Sequence, residues 1–225
     1  MATLTTTETD DLWAGIDDQR ATTADLLEGL TPEQWAHPSL CDGWTVRHVA
    51  AHLTMQQQRV RDALGFMVRH PPMLRSVALN DFILKAAILQ AEALSNEQII
   101  AGIRNGIGSR RHNPGLTPAE TLTDILVHSQ DIAIPLGVDV PMRPTLSALA
   151  ASRRWETRDT WLASVNRRLP WASCRLTATD TDWSRGQGPE VTGPIGAILL
   201  LLTGRAAALE QLAGEGVNAL RLTET

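Results

Sequence analysis

The sequence predicts a mainly α protein, a bundle of four main helices followed by a small α/β segment at its C-terminal end. Three observations carry that reading. Apolar residues return near the helical period, as in Leu12, Trp13, Ile16, Leu26, Leu27 and Leu30. Proline follows a threonine cap at Thr31-Pro32 and at Thr117-Pro118, the signature of a helix start. Beyond Pro170 the period changes, and Cys174, Leu176 and Ala178 alternate with Arg175, Thr177 and Thr179, which reads as a strand. The expected boundary between bundle (1–169) and C-terminal segment (170–225) lies at that change.

The elements follow in order. A first helix is expected over 10–30, and Thr31-Pro32-Glu33-Gln34 opens a short second turn of helix. After Gly43, Thr45 caps a helix whose buried stripe is Val46, Val49, Ala50, Leu53 and Val60, ended by Pro71-Pro72. Residues 74–106 are helical, with a break near Ser95-Asn96, and 110–115 form a loop. Thr117-Pro118-Ala119-Glu120 is a capping box, and its helix runs towards Gly137. A further helix is expected over 146–169. Gly186-Gln187-Gly188-Pro189 is a turn, 194–212 is an apolar helix closed by Gly214, and 217–222 is read as a short strand.

Composition bounds the function. A chain of 225 residues holds one sizeable core, with or without a small appendage. Its 43% apolar and 20% charged residues are ordinary for a globular protein. The net charge of −5 argues against nucleic-acid binding and a DNA-binding regulator. No apolar run approaches the roughly 20 residues that span a bilayer. The stretch Met1-Ala2-Thr3-Leu4-Thr5-Thr6-Thr7-Glu8 lacks the basic and apolar regions of a signal peptide, so a cytoplasmic location is expected. Cys41 and Cys174, the two cysteines, are expected as free thiols. Lys85 is the one lysine among 20 basic residues, an arginine skew that fits a GC-rich genome.

The candidate chemistry lies in two segments. Ser39-Leu40-Cys41-Asp42-Gly43-Trp44-Thr45-Val46-Arg47-His48-Val49-Ala50-Ala51-His52-Leu53 is a turn feeding a helix with two histidines four residues apart. Downstream, Asp124 and His128 share the same spacing, which stacks them on one helix face. His52, Asp124 and His128 would supply three N/O ligands to a divalent metal and leave a fourth position open, the pattern of a catalytic site. At 100° per residue, Glu120, Asp124, His128 and Asp131 fall within about 80° of one another. The bland alternative is a solvated acidic face. Against it, Glu120 already serves as a cap, and Val127 and Ile134 flank the stripe. His52 alone would read as a core or rim histidine; the matching Asp/His pair makes it a ligand candidate. His48, at the third helical position, is expected to cap or face solvent. Trp44 reads as packing that fixes the turn, and nothing in the sequence marks the Cys41 thiol as activated. Arg205 interrupts an apolar run and is either an arginine at a helix edge or a bidentate clamp for a substrate carboxylate.

Together these residues resemble the mycothiol-dependent maleylpyruvate isomerase family of the DinB-like superfamily of metal-binding helical bundles. Three segments carry the resemblance: Leu40 to Arg47 leading to Ala51-His52-Leu53; Asp124 to His128 with Asp131; and Ala178-Thr179-Asp180-Thr181-Asp182-Trp183 with Gly188 to Pro194 and Leu202-Thr203-Gly204-Arg205. The resemblance implies that His52, Asp124 and His128 bind a divalent metal, zinc by expectation, and that mycothiol, a low-molecular-weight thiol of actinobacteria, is the cosubstrate. It further implies isomerisation of, or thiol transfer to, a small electrophilic substrate; Arg205 is the candidate catalytic residue, as an anion anchor where that substrate carries a carboxylate. The family often has glutamate where Asp124 stands and an acidic residue where His48 stands. The competing reading is a non-catalytic metal-binding stress or regulatory protein of the same superfamily.

Overall fold

The computed structural model describes residues 5–58, 65, 68–70, 79–160 and 171–221. The protein is mainly helical with a small C-terminal sheet. It divides into two compact units, Met1–Val140 and Pro141–Thr225. The sequence reading set the boundary at 169/170. The helix after Pro144 packs on the apolar helix of the C-terminal unit.

In the first unit, α1 (Thr6–Glu28) starts earlier than expected. Thr5 and Glu8 form a reciprocal cap that sequence reading passed over, and Gly29 ends the helix. The short α2 (Pro32–Ala36) is capped by Thr31 and Gln34, as its Thr-Pro start predicts. In α3 (Val46–Leu53), Thr45 is the N-cap and Val46, Val49, Ala50, Ala51 and Leu53 are buried. The expected stripe residue Val60 and stop at Pro71-Pro72 lie outside the described residues. The break at Ser95 is real: α4 (Leu79–Ala93) stops, and Ser95 with Gln98 caps α5 (Asn96–Arg104). Then α6 (Pro118–Ala133) starts at the Thr117–Glu120 box and passes through a 3-10 turn, Ile134–Leu136, to Gly137 at φ +67.

The long helices pack in a ring of neighbours, α1 on α5 and α6, and α3 on α4 and α6. Ile16, Leu27, Val46, Val49, Leu122, Ile125 and Ile132 are sealed from solvent between them. Burying such side chains contributes about 1.5–3 kcal/mol each. A polar contact also sits inside this core. The hydroxyls of Thr23 and Ser129 lie 2.6 Å apart and link α1 to α6.

The second unit opens with α7 (Pro144–Glu156), whose expected continuation over 161–169 lies outside the described residues. Three strands follow: β1 (Arg175–Ala178), β2 (Ser184–Gly186) and β3 (Glu190–Gly193), in the order β2-β1-β3. β1 runs antiparallel to β2 and parallel to β3, with Leu176 opposite both Arg185 and Val191. Only β1 was legible in the sequence: its alternation extends over Cys174 to Thr179, whereas β2 has three residues and β3 lies between Pro189 and Pro194. The apolar helix is shorter than the 194–212 expected. It runs as α8 (Ile195–Leu202) and stops where Thr203 turns its hydroxyl back to the Leu199 and Leu200 carbonyls and Gly204 adopts φ +83. Arg205 therefore lies past the helix, at the start of a 3-10 segment, Ala206–Gln211. Residues 217–222 were read as a strand, but α9 (Glu215–Arg221) is helical and buries Val217 and Leu220. Their three-residue separation is a helical period, and it outweighs the β-propensity of one valine. Among the described residues no helix is long and apolar enough to cross a membrane.

Gly214, at φ +108, brings the chain so close to β3 that an added Cβ would lie 2.3 Å from the Glu190 carbonyl oxygen. Gly214→Ala should therefore destabilise the protein by about 2 kcal/mol or more, read as a lower midpoint in urea unfolding. A midpoint within error of wild type would show that the approach is not tight.

Candidate metal centre

The site is built inside the first unit from two helices and one turn. Gly43, at φ +76, lets the chain double back so that Trp44 N–H donates to the Cys41 carbonyl at 2.9 Å. The Ser39 hydroxyl closes the same turn on the Trp44 carbonyl at 2.9 Å. Leu40 N–H then donates to the backbone carbonyl of Asp131, which docks the turn on α6. The turn delivers Trp44 and Cys41 to one side of the site and starts α3 at the angle that brings in His52.

Asp124 Oδ1 lies 3.4 Å from His52 Nε2 and 3.4 Å from His128 Nε2. The three donor atoms lie within 4.8 Å of one another. Hydrogen bonds between nitrogen and oxygen run at about 2.7–3.2 Å, so 3.4 Å is long for one. It is the edge of a tetrahedron, about 3.3–3.4 Å, for ligands held about 2.0–2.1 Å from a central ion. The donor set thus fits a small divalent cation with nitrogen and oxygen ligands. The side chains are 14–31% exposed, shielded but reachable.

A second cluster, Cys41, His128 and Asp131, also has three donors close together, but its spacing differs. His128 Nδ1 lies 2.7 Å and the Cys41 thiol 3.1 Å from the same Asp131 oxygen, both hydrogen-bond lengths. The fully buried Asp131 carboxylate fixes the His128 ring and directs Nε2 towards Asp124 and His52. A carboxylate behind a metal-ligand histidine does this commonly, and it raises the basicity of the ligand. Trp44 walls the site with its ring 5.4 Å from that of His52 and 6.2 Å from that of His128.

The electrostatics follow from this crowding. Burial alone would raise the Asp124 pKa, but the two imidazoles outweigh it and hold the group well below the ordinary carboxylate value. Burial alone would lower that of His128, but Asp124, Asp131 and Cys41 outweigh it and hold the group well above 6.5.

The structure brings His52, Asp124 and His128 together and leaves His48 out. His48 Nδ1 accepts from Thr45 N–H at 3.2 Å and completes the cap of α3. Burial, then Arg47, lowers its pKa and favours that acceptor form. Glu120 is occupied in the cap of α6, accepting from Thr117 N–H at 2.7 Å. His37 and His112 each bind a neighbouring carbonyl with Nδ1. Both cysteines are free thiols. Arg205 belongs to the second unit, where its guanidinium donates to the Thr203 carbonyl at 2.6 Å. Sequence reading missed Gln56, whose amide donates to Asp124 Oδ2 at 2.7 Å, and Arg20 behind it. The signal was present: Gln56 follows His52 by four residues, and Arg20 lies on the buried stripe of α1.

The family model described as the mycothiol maleylpyruvate isomerase N-terminal domain matches residues 16–124. The match lies within the N-terminal unit, which is similar to this domain. The matched span holds Cys41, Trp44, His52 and Asp124, while His128 and Asp131 follow it. Two solved structures share the fold: a crystal structure of the mycothiol-dependent maleylpyruvate isomerase, and one of its histidine-to-alanine mutant. Each is 15% identical and covers 92% of this chain, which covers 93% of each, at TM-scores of 0.53 and 0.55. At that identity the likeness is one of fold. No curated protein matches the chain.

If the three donors hold one ion, His52→Ala, Asp124→Ala and His128→Ala should each abolish stoichiometric Zn2+ binding in calorimetry, and His48→Ala should leave it intact. Loss of the ion in His48→Ala would move the site one helical turn.

The pH dependence has a defined sign. Without metal, the Asp124 contribution to stability is present above its ordinary value of 3.8 and is lost as pH falls through its depressed value. The His128 contribution is complete below 6.5 and is lost as pH rises through its raised value. The metal-free melting temperature should fall as pH rises above 6.5, while stabilisation by added Zn2+ grows, because ion and proton compete for the imidazole. A Zn2+ effect that stays flat between about pH 6 and about pH 9 would contradict the assignment.

Proposed function

We propose that the protein is a metal- and thiol-dependent enzyme that isomerises, or transfers a thiol to, a small electrophile, in the manner of the mycothiol-dependent maleylpyruvate isomerases. The observation that carries this reading is the trio His52, Asp124 and His128, with Asp124 Oδ1 3.4 Å from each imidazole Nε2 and His128 backed by Asp131. The similarity of the N-terminal unit to the mycothiol maleylpyruvate isomerase N-terminal domain supports mycothiol as the cosubstrate. We also propose zinc as the ion, on the mixed nitrogen and oxygen donors, and the cytoplasm as the location.

A divalent ion bound there would lower the pKa of an incoming thiol and present it as the thiolate nucleophile. The work of the chain is to make that reaction selective. His52 and His128 supply neutral imidazole nitrogens, and Asp124 supplies the single negative charge of the set. Asp131 retains the proton on His128 Nδ1, so that Nε2 stays a ligand. Trp44 covers one side and excludes water there. For an isomerisation, the thiolate adds to an activated double bond, rotation follows, and expulsion of the thiolate restores the double bond.

Arg205 is the proposed anchor for a substrate carboxylate, because a guanidinium binds a carboxylate through two parallel hydrogen bonds.

The test is a screen of the Zn2+-loaded protein with low-molecular-weight thiols, mycothiol among them, and electrophiles including maleylpyruvate. Expected are thermal stabilisation by thiol and turnover that requires both thiol and ion. At a ligand concentration of 100 times Kd the stabilisation is about 2.7 kcal/mol. Zn2+ binding without stabilisation by any thiol, and without turnover, would favour the non-catalytic reading. Arg205→Lys should raise KM or lower kcat for a carboxylate substrate at least about tenfold with little change in melting temperature. A change in melting temperature alone would remove Arg205 from the site.

A further inference from the structure

The metal-binding reading leaves one buried polar chain unexplained. Gln56 lies just past α3 and is 6% exposed. Its Nε2 donates to Asp124 Oδ2 at 2.7 Å, and its Oε1 accepts from Arg20 Nη2 at 3.3 Å. Only one amide orientation serves both neighbours, since a guanidinium only donates and a carboxylate only accepts. Arg20 is itself fixed. It is 2% exposed, donates through Nη1 to the Gly106 carbonyl at 2.7 Å, and lies 3.5 Å from Asp17. The turn at Gly106 is built close against it, for a Cβ there would lie 3.2 Å from Arg20 Nε and 2.6 Å from the Gln57 amide nitrogen. Turning the Gln56 amide over would set donor against donor and acceptor against acceptor, at a cost of about 1–3 kcal/mol for each buried group left unsatisfied.

The consequence falls on Asp124. A terminal carboxylate rotates in a broad, two-fold well and by itself selects neither oxygen. With Oδ2 tied to Gln56, Oδ1 is the atom left 3.4 Å from each imidazole. The positive charge of Arg20 polarises the intervening amide and strengthens it as a donor.

We propose that Gln56 is a positioning residue of the metal centre, anchored by Arg20, which presents Asp124 to the ion through Oδ1 alone. This rests on the reading of His52, Asp124 and His128 as metal ligands. Gln56 touches neither the ion nor a substrate, and acts through Asp124.

The test uses Gln56→Met, which keeps length and volume but removes both hydrogen bonds. Zn2+ affinity is measured by competition with a chromophoric chelator, on protein whose circular dichroism matches wild type. Affinity should fall about tenfold to a hundredfold, the usual effect of losing a partner behind a metal ligand. The visible absorption of the Co2+-substituted protein should also shift, because the carboxylate is free to bind through either oxygen. A purely structural role would lower the melting temperature without moving either quantity. Should Gln56→Met fail to fold, Gln56→Asn keeps an amide one methylene too short to span Arg20 and Asp124. It should show the same two changes. Unaltered affinity and an unaltered Co2+ spectrum, with wild type binding Zn2+ normally, would overturn the inference alone. Wild type that binds no Zn2+ would overturn both the inference and the function it rests on.

Discussion

The buried carboxylate of Asp131 is the constraint on which the site depends. One side-chain oxygen takes a hydrogen bond from the His128 ring and one from the Cys41 thiol. The backbone carbonyl of the same residue takes Leu40 N–H. Asp131 therefore sets the His128 rotamer, the position of the turn before α3, and so the entry of His52. An unpaired carboxylate at full burial would be expensive. Placed against an imidazole, a thiol and a docked turn, its charge is compensated by groups that belong to the site.

The contrast between the two donor clusters shows how distance separates chemistry from support. Both contain His128, and residue identity alone would make either a metal site. Around Asp131 the spacings are those of hydrogen bonds. Around Asp124 they are longer, 3.4 Å from Oδ1 to each imidazole nitrogen, a spacing that ligands of one ion would have. Cys41, the softer donor, falls in the supporting cluster, where its thiol donates to a carboxylate. At 3.1 Å from Asp131 Oδ2, that placement is one of a structural hydrogen bond.

Much of this was legible in the sequence, for identifiable reasons. Threonine caps marked the starts of α2, α3 and α6, with proline behind the threonine in α2 and α6, because capping chemistry is local. The i, i+4 pair Asp124/His128 announced a shared face for the same reason. His48 was separated from His52 by its place in the first turn, where a polar side chain satisfies a free backbone N–H. The remainder needed tertiary information. No spacing rule says that Arg20 of α1 reaches Gln56, or that Cys41 finds Asp131. The strand expected at 217–222 failed because Val217 and Leu220 belong to a helical period too short to recognise in isolation. The length of α8 was misjudged because Thr203 and Gly204 end it from within an apolar run.

The Thr23–Ser129 hydroxyl pair has a wider bearing than its size suggests. It is a polar contact enclosed by an apolar seam, so it acts as a detent against sliding of α1 along α6. A shift by one helical turn, about 5.4 Å, would break this contact and leave each hydroxyl only a carbonyl of its own helix, Gln19 for Thr23 and Ile125 for Ser129. The same shift would carry Arg20, three residues before Thr23 on α1, out of step with Asp124, five residues before Ser129 on α6. The Thr23–Ser129 contact thus helps hold the axial alignment in which Arg20 reaches Asp124 through Gln56.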